Sequence, residues 1–255
     1  MARSFAVLMR GLLNIKVTLE GDGGHLGTGG QLVISNHLGY IDGFVLGSLF
    51  PLIYVSKSEV RQWPLIGQWL VLFGTIFIDR QRKEKISHLV EEIGKKLREE
   101  ANVLIFPEGT STNGEKILPF QSAPFAAPLL AQAAILPVTL TYRRIDQEPL
   151  SETNRDRLYW YGDMEFASHL WGLLGIRCVE VSVKVHPRIE TSHLQNSSRS
   201  RKELNQTCHA IIAGKPNLGD QRDLRDASPL QSASRPLMRQ GGRSRPASNI
   251  PLSDD

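Results

Sequence analysis

The sequence predicts an α/β fold with a single domain, in which a mixed, mostly parallel sheet is covered by helices on both faces. Short apolar strand-like runs alternate with helical patterns along the chain, which is the order that lays helices across parallel strands. The 255 residues are 41% hydrophobic, which is enough for one substantial core. We therefore expect one domain over residues 1–213 and a tail beyond it.

Seven short apolar runs predict the strands of this sheet. They cover residues 17–20, 32–35, 52–55, 76–79, 103–106, 136–142 and 179–185. The glycine-rich stretch 21–30 joins the first two runs, and we expect a flexible hairpin connection there. It is not a dinucleotide-binding loop, because no Gly-x-Gly-x-x-Gly register fits it and it precedes a strand instead of opening a helix.

Helical patterns occupy the intervals between the strands. The clearest has one apolar stripe on an otherwise charged segment, formed by Ile86, Leu89, Val90, Ile93 and Leu97. Residues 123–134 are rich in alanine, and their two prolines leave the start of that helix open. An apolar helix is expected over 44–50, which a proline ends, and a helix dense in apolar and aromatic residues over 63–73.

The N-terminal segment is amphipathic. Its apolar side would be formed by Phe5, Leu8, Met9, Leu12 and Leu13, with Arg3 and Arg10 close to lipid headgroups. Packing of the same side against the core is the alternative. We expect no signal peptide and no membrane-spanning helix, because charged residues interrupt every apolar run before about 18 residues.

The remaining composition limits the class of protein. A formal charge of +4 and a pI near 9.1 suit an anionic membrane face or nucleic acid, but no aromatic-basic motif supports nucleic acid. Two cysteines form no disulfide framework and indicate a reduced cytosolic setting. Residues 214–255 are dominated by polar residues, Gly and Pro without periodicity, so a disordered tail is predicted.

A histidine and a carboxylate five positions apart stand out between a strand and a helix. Five helical steps of about 100° would leave His37 and Asp42 roughly 140° apart, so the intervening residues must form a turn. Gly39 gives that turn backbone freedom, and Asp42 is expected to cap the helix over 44–50. A histidine oriented by a carboxylate is a general base near neutral pH. The alternative is a surface histidine beside an N-capping aspartate.

A second polar turn follows the strand predicted at 103–106. Pro107 ends the strand, and the turn then brings Glu108, Gly109, Thr110 and Ser111. Functional groups collect at the carboxyl edge of strands in α/β sheets. If the two strands are parallel neighbours, the histidine turn and this turn lie along the same edge.

Four segments in this order resemble the motifs of the glycerolipid acyltransferase family, which includes the PlsC-like 1-acyl-sn-glycerol-3-phosphate acyltransferases. They are Asn-His-x4-Asp at 36–42, Gly-Thr-Ile-Phe-Ile-Asp-Arg at 74–80, Phe-Pro-Glu-Gly-Thr-Ser at 106–111 and Ile-Leu-Pro-Val at 135–138. One motif is weak evidence, but four in sequence are specific. The resemblance covers roughly residues 10–190 and implies a glycerol-3-phosphate acyltransferase-like fold.

The resemblance also implies residue roles. His37 would be the base that acts on the acceptor hydroxyl, and Asp42 would hold it. Arg80, Glu108 and Gly109 would bind a phosphorylated acceptor. An arginine fork suits phosphate, and backbone amides after Pro107 can form an anion-binding nest. A carboxylate repels phosphate, so we interpret Glu108 as orienting Arg80 or an acceptor hydroxyl.

The chain departs from the family pattern after the third motif. The basic residue that commonly follows it is absent from the segment 111–114, and 120–123 reads Phe-Gln-Ser-Ala. Lys57 and Lys116 are candidates to replace that cation, and Thr110 and Ser111 are candidate acceptor contacts. This form of the motif also resembles the corresponding segment of lysophospholipid and lyso-ornithine-lipid acyltransferases of the same family.

The expected function is transfer of a fatty acyl group from acyl-CoA or acyl carrier protein to the sn-2 hydroxyl of 1-acyl-sn-glycerol-3-phosphate, giving phosphatidic acid. The alternatives are another lysophospholipid or a lyso-ornithine lipid as acceptor, or a non-catalytic lipid-binding protein. Transfer would be direct, without cofactor or metal, by a peripheral or monotopic protein at the cytoplasmic membrane face. The 63–73 segment is the first candidate for the wall of an acyl-chain groove.

Overall fold

The computed structural model describes residues 2–21, 23–63, 66–78 and 83–214. The strands are β1 (Ile15–Gly21), β2 (Leu32–Ser35), β3 (Ile53–Lys57), β4 (Ile76–Ile78), β5 (Val103–Ile105), β6 (Ile135–Ile145), β7 (Glu148–Pro149) and β8 (Val179–Val185). The helices are α1 (Ala2–Leu12), α2 (Ile41–Leu49), α3 (Ile66–Leu72), α4 (Lys83–Arg98), α5 (Ala126–Ala131), α6 (Phe166–Leu174) and α7 (Ser198–Ile212). The predicted tail lies, apart from residue 214, outside these ranges, and the domain boundary at 213/214 stays a prediction.

The sheet has the order β1-β8-β6-β2-β5-β3-β4, and β7 pairs with β6. Strand β6 is antiparallel to β8 and β7, whereas the other pairings are parallel. All seven predicted strands are confirmed, and so is the mixed, mostly parallel sheet. The two-residue strand β7 escaped prediction because it is too short to carry a pattern.

The predicted hairpin over 21–30 is wrong. Strands β8 and β6 lie between β1 and β2 in the sheet, so the glycine-rich connection crosses two strands and contains a 3₁₀ turn over Gly23–Gly27. Turn composition indicated a change of direction, but it carried no information about which strand would pair with β1.

Alternating strand residues supply two cores, one on each face of the sheet. Val33 and Leu104 face the core covered by α2 and α6, whereas Ile34 and Ile105 face the core covered by α4, α5 and α7. This is the two-residue period of a strand, and it confirms helices on both faces. The predicted stripe of α4 is buried at Leu89, Val90, Ile93 and Leu97.

Helix α1 packs against the core on one side, which is the alternative that the sequence left open, and its contact with lipid headgroups stays a prediction. Its inner side packs against α2 through the buried Ala6, and the ring of Phe5 stacks on Trp69 of α3 with centroids 4.5 Å apart. Its outer side leaves Leu8 and Leu12 56% and 70% exposed. Within the part of the chain that the structure describes, every helix is too short or too polar to cross a membrane.

The two polar turns follow neighbouring strands, as predicted. Strand β2 pairs in parallel with β5, so their carboxyl ends meet at one edge of the sheet. Just past β2, the side-chain amide of Asn36 donates to the Leu140 carbonyl at 3.0 Å and accepts from the Leu140 amide at 2.8 Å. This buried side chain continues the ladder with β6 after the backbone of β2 has turned away.

Close packing between α1, α2 and β3 requires glycine at position 47. A Cβ atom there would lie 1.9 Å from the Tyr54 hydroxyl and 3.3 Å from the Ala6 Cβ. We expect Gly47→Ala to lower the free energy of unfolding by about 1–3 kcal/mol, because a rigid ring must move. Urea denaturation measures this loss.

Gly172→Ala is the matched control, because a Cβ at this α6 position meets no atom within 4 Å. Here alanine should raise stability by about 0.5–1 kcal/mol through its better helix propensity. Equal effects of the two substitutions would contradict the close approach at Gly47.

Candidate active site

The turn that carries His37 is closed by a carboxylate from the following helix. Helix α2 begins at Ile41, so Asp42 lies in its first turn and the predicted N-cap role of Asp42 is wrong. Its Oδ2 atom instead accepts the backbone amides of Leu38 at 2.6 Å and Gly39 at 3.0 Å. The carboxylate thus points back into the turn, which is the folding-back that the His-x4-Asp spacing predicted.

The imidazole and the carboxylate are in direct contact. His37 Nδ1 lies 2.9 Å from Asp42 Oδ2, and the two side chains are 22% and 1% exposed. An ionised carboxylate only accepts hydrogen bonds, so this contact assigns the proton to Nδ1. The other ring nitrogen, Nε2, is then the basic atom.

The second oxygen of Asp42 is held from the sheet. Tyr142 of β6 donates its hydroxyl to Asp42 Oδ1 at 2.8 Å. Burial, together with the negative charge of Asp42, raises the pKa of Tyr142 well above its usual range, so the phenol remains a donor. Asp42 therefore accepts from two amides, one imidazole and one phenol, which offsets the cost of burying its charge.

The turn after β5 holds the backbone of His37 on both sides. The His37 amide donates to Glu108 Oε1 at 2.9 Å, and the His37 carbonyl accepts from the Thr112 amide at 2.9 Å. The other oxygen of Glu108 accepts from the Leu118 amide at 2.8 Å. Burial raises the pKa of Glu108, while these two amides act in the opposite direction.

These contacts give Glu108 a positioning role toward His37. The expected partner Arg80 lies outside the described residues, so the contact between Glu108 and Arg80 stays a prediction.

Phe106 stacks its ring on the imidazole with centroids 4.0 Å apart and an interplanar angle of 10°. Gly109 has φ +79°, which favours glycine, and its amide closes the turn on the Phe106 carbonyl at 3.0 Å.

His37 lies between two cavities. The larger, about 690 Å³, has a polar side that includes Lys57, Thr110 and Ser111. The narrower, about 160 Å³, is mostly apolar and lies among α1, α2, α3 and β3. Both are lined by His37, Val55, Ser56, Val60, Trp63, Phe106 and Trp160.

The structure brings together most of the predicted site residues. Lys57, Gly109, Thr110 and Ser111 line the larger cavity with His37. Lys116 is exposed and does not line it. The contacts of all these residues with a substrate stay predictions.

Tyr142 and Trp160 are site residues that the sequence did not reveal. Tyr142 shares the strand face of Val138 and Leu140, and a buried phenol needs a hydrogen-bond partner, but nothing in the sequence pointed to a carboxylate 100 positions away. Trp160 belongs to a segment without periodicity. Its amide donates to the Leu38 carbonyl at 3.0 Å, which fixes it beside the histidine turn.

The described residues contain no group of three or more His, Cys, Asp or Glu side chains that is arranged for a metal ion. Both cysteines are free thiols. Cys208 is buried in the α7 core, and burial raises the pKa of its thiol, so it is a packing residue.

Curated proteins with similar sequences are lipid acyltransferases by name. The lyso-ornithine lipid O-acyltransferase of Brucella abortus is 34% identical, over 60% of this chain and 60% of that protein. The enzyme of the same name from Rhodobacter capsulatus is 37% identical, over 71% of this chain and 63% of that protein. The chain thus spans less than two thirds of the length of these two relatives.

A solved structure shows the same fold. The 1-acyl-sn-glycerophosphate (LPA) acyltransferase PlsC from Thermotoga maritima matches 88% of this chain and 78% of its own, with a TM-score of 0.59 and 16% identity. Residues 12–141 match the protein-family model described as Acyltransferase. Because that match covers just over half of the chain, this protein belongs to the acyltransferase family.

Proposed function

We propose that this protein transfers a fatty acyl group from an acyl thioester to the free hydroxyl of a lyso-lipid at a membrane surface. The observation that carries the proposal is the His37–Asp42 pair, whose histidine lines both the larger cavity, with its polar side, and the mostly apolar one. A polar acceptor and an aliphatic chain must meet at the base in such a reaction. The acyltransferase names of the relatives support the same chemistry.

The proposed transfer is direct. Nε2 of His37 takes the proton from the acceptor hydroxyl while the hydroxyl oxygen attacks the thioester carbonyl. The new C–O bond forms, the C–S bond breaks, and the imidazolium returns its proton to the departing thiolate. Asp42 stabilises the imidazolium between these steps. Acyl-CoA and acyl carrier protein both supply the required thioester.

The tetrahedral intermediate needs donors for its oxyanion. Thr110 and Ser111 line the larger cavity beside His37, and their amides are our candidates. The acyl chain would enter the narrow cavity. Its wall includes Trp63, Trp69 and Phe73, which supports the expectation that the 63–73 segment forms an acyl groove.

A lyso-ornithine lipid is the favoured acceptor. An ornithine headgroup carries a carboxylate and a cationic amine. Among the described residues that line the larger cavity, the side chains that carry a charge at neutral pH, apart from the titratable His37, are Lys57 and Glu59, one of each sign. The negative charge of Glu59 would repel a phosphomonoester. The first expectation, 1-acyl-sn-glycerol-3-phosphate, is the second candidate because the four family motifs support it.

His37→Ala should lower kcat by about 10²- to 10⁴-fold, because it removes the base. Far-UV circular dichroism and binding of vesicles should be unchanged. The matched control is His88→Ala on α4, whose side chain is 70% exposed and lines neither cavity. Undiminished transfer by His37→Ala would refute the base role, and lipid binding without transfer in the wild type would favour the non-catalytic alternative.

Tyr142→Phe tests the support of Asp42. Without the phenol, more of the carboxylate charge acts on the imidazole, so the rising limb of the kcat/KM profile should move to higher pH. We expect kcat to fall roughly tenfold, in line with the loss of one hydrogen bond to a charged group. Tyr159→Phe removes a neighbouring phenol whose ring lies 5.8 Å from that of Tyr142, and should leave the profile in place.

Acceptor choice is tested by competition. Labelled acyl donor is offered with lyso-ornithine lipid, lysophosphatidic acid and lysophosphatidylethanolamine in one reaction, and we expect the ornithine product to dominate. Glu59→Gln should lower kcat/KM for lyso-ornithine lipid about tenfold by removing the partner of the amine. Glu91→Gln, an exposed change on α4, is the control. Preference for lysophosphatidic acid would establish the second candidate.

A further inference from the structure

Exposed apolar side chains concentrate on three helices. Of the eleven large apolar side chains that are exposed within the described ranges, eight lie on α1, α3 and α6. They are Val7, Leu8, Leu12, Trp69, Val71, Leu72, Trp171 and Leu174. Single exposed apolar residues are ordinary, whereas a concentration on neighbouring helices indicates an interaction surface.

Helix α6 contributes the most exposed aromatic residue of this set. Trp171 and Leu174 are 75% and 57% exposed and stand three positions apart on one helix face. Leu173, on the opposite side, is 2% exposed and anchors the helix in the core. The nine residues of α6 include no Asp, Glu, Lys or Arg. The outward face is therefore apolar while the helix itself is firmly packed.

The three helices are neighbours. The Asn14 side chain, just after α1, donates to the Arg177 carbonyl at 2.7 Å, just after α6. The Asn14 carbonyl also accepts the Val179 amide at 3.2 Å. On the other side, the stack of Phe5 on Trp69 joins α1 to α3. Helix α1 thus contacts α3 through Phe5, and the residues after α1 contact the residues after α6.

Helices α1, α3 and α6, together with the four to six residues after each, carry basic but no acidic side chains, whereas Asp163 and the N-capping Glu165 stand just before α6. Segments 2–16, 66–78 and 166–178 contain Arg3, Arg10, Lys16 and Arg177 and no Asp or Glu. Apolar side chains with basic residues around them complement an anionic lipid surface, and tryptophan favours the interface between headgroups and acyl chains.

Helix α6 is also connected to the catalytic turn. Phe166, in its first turn, contacts the rings of Tyr40 and Trp63, with centroids 5.2 and 4.4 Å apart. The Tyr40 hydroxyl lies 2.8 Å from His169 Nδ1. Tyr40 stands between His37 and Asp42 in the chain and lines the narrow cavity.

We propose that α6 is a membrane-contact element that inserts Trp171 and Leu174 into an anionic lipid surface beside the outer face of α1, so that the narrow cavity lies close to the bilayer. The partner is a lipid surface, and this choice rests on the proposed function, since both substrates carry aliphatic chains. Contact through α6 then presents the lipid to the same turn that carries the base.

The test uses the full chain and vesicles of phosphatidylcholine and phosphatidylglycerol in equal parts. In flotation, a variant with Trp171→Glu and Leu174→Glu should partition into vesicles at least about tenfold less than the wild type. Leu130→Glu is the matched control, because Leu130 on α5 is 51% exposed on the other face of the sheet. Equal partitioning of the wild type and the double variant, or no binding by the wild type, would overturn the proposal.

Quenching locates the contact. Vesicles with brominated acyl chains should quench part of the wild-type tryptophan fluorescence, and Trp171→Phe should lose that part. An unchanged quenched fraction would contradict insertion of Trp171. If Trp171→Glu alters the molecular mass of the protein in solution and leaves vesicle binding intact, the outward face of α6 is a contact between copies of the chain. The proposal then fails.

Activity separates this inference from the proposed function. With short-chain, water-dispersed acceptor and donor, the double variant should match the wild type, and it should lose rate only on vesicles. Equal loss on both would show that α6 acts structurally and would overturn the membrane role. A wild type that binds vesicles through Trp171 yet transfers no acyl group would contradict the proposed function alone.

Discussion

The buried carboxylate of Asp42 is the constraint on which the site depends. A charge removed from water must be fully hydrogen-bonded, and Asp42 meets this requirement with donors from the turn, from the imidazole and from β6. Each donor that lowers the cost of burial also fixes a part of the site. The amides shape the turn, and the phenol of Tyr142 connects helix α2 to the sheet. The hydrogen bonds that stabilise the buried charge of Asp42 therefore also fix the orientation of the His37 imidazole.

Parallel pairing of β2 with β5 supplies the second support. It brings the turn after β5 beside the histidine turn, where Glu108 and Thr112 bind the amide and the carbonyl of His37. The backbone of the base is thus held by the turn after β5, and its imidazole by Asp42 of helix α2 and the ring of Phe106. Glu108 is as buried as a core residue, and its two carboxylate oxygens accept hydrogen bonds from the amides of His37 and Leu118.

The two cavities that share His37 give the proposed reaction room for two unlike substrates. The larger cavity, with its polar side at Lys57, Thr110 and Ser111, lies along the carboxyl edge of the sheet, whereas the mostly apolar cavity lies among α1, α2 and α3. Exposed apolar residues lie on α1, α3 and α6, the helices around the apolar cavity and the catalytic turn. In the proposed reaction, an acyl chain and a charged headgroup would therefore find different surroundings in two cavities that share His37.

The sequence alone determined the α/β class, seven strands, the stripe of α4 and the turn that returns Asp42 to His37, because each follows from local periodicity, proline and glycine positions, or helix geometry. Only the tertiary structure decided the partner of β1, the start of α2 at Ile41, the contacts of Glu108 and the donation from Tyr142. These depend on which strands become neighbours. Pairing is set by the burial of whole faces of the sheet, which no short segment encodes by itself.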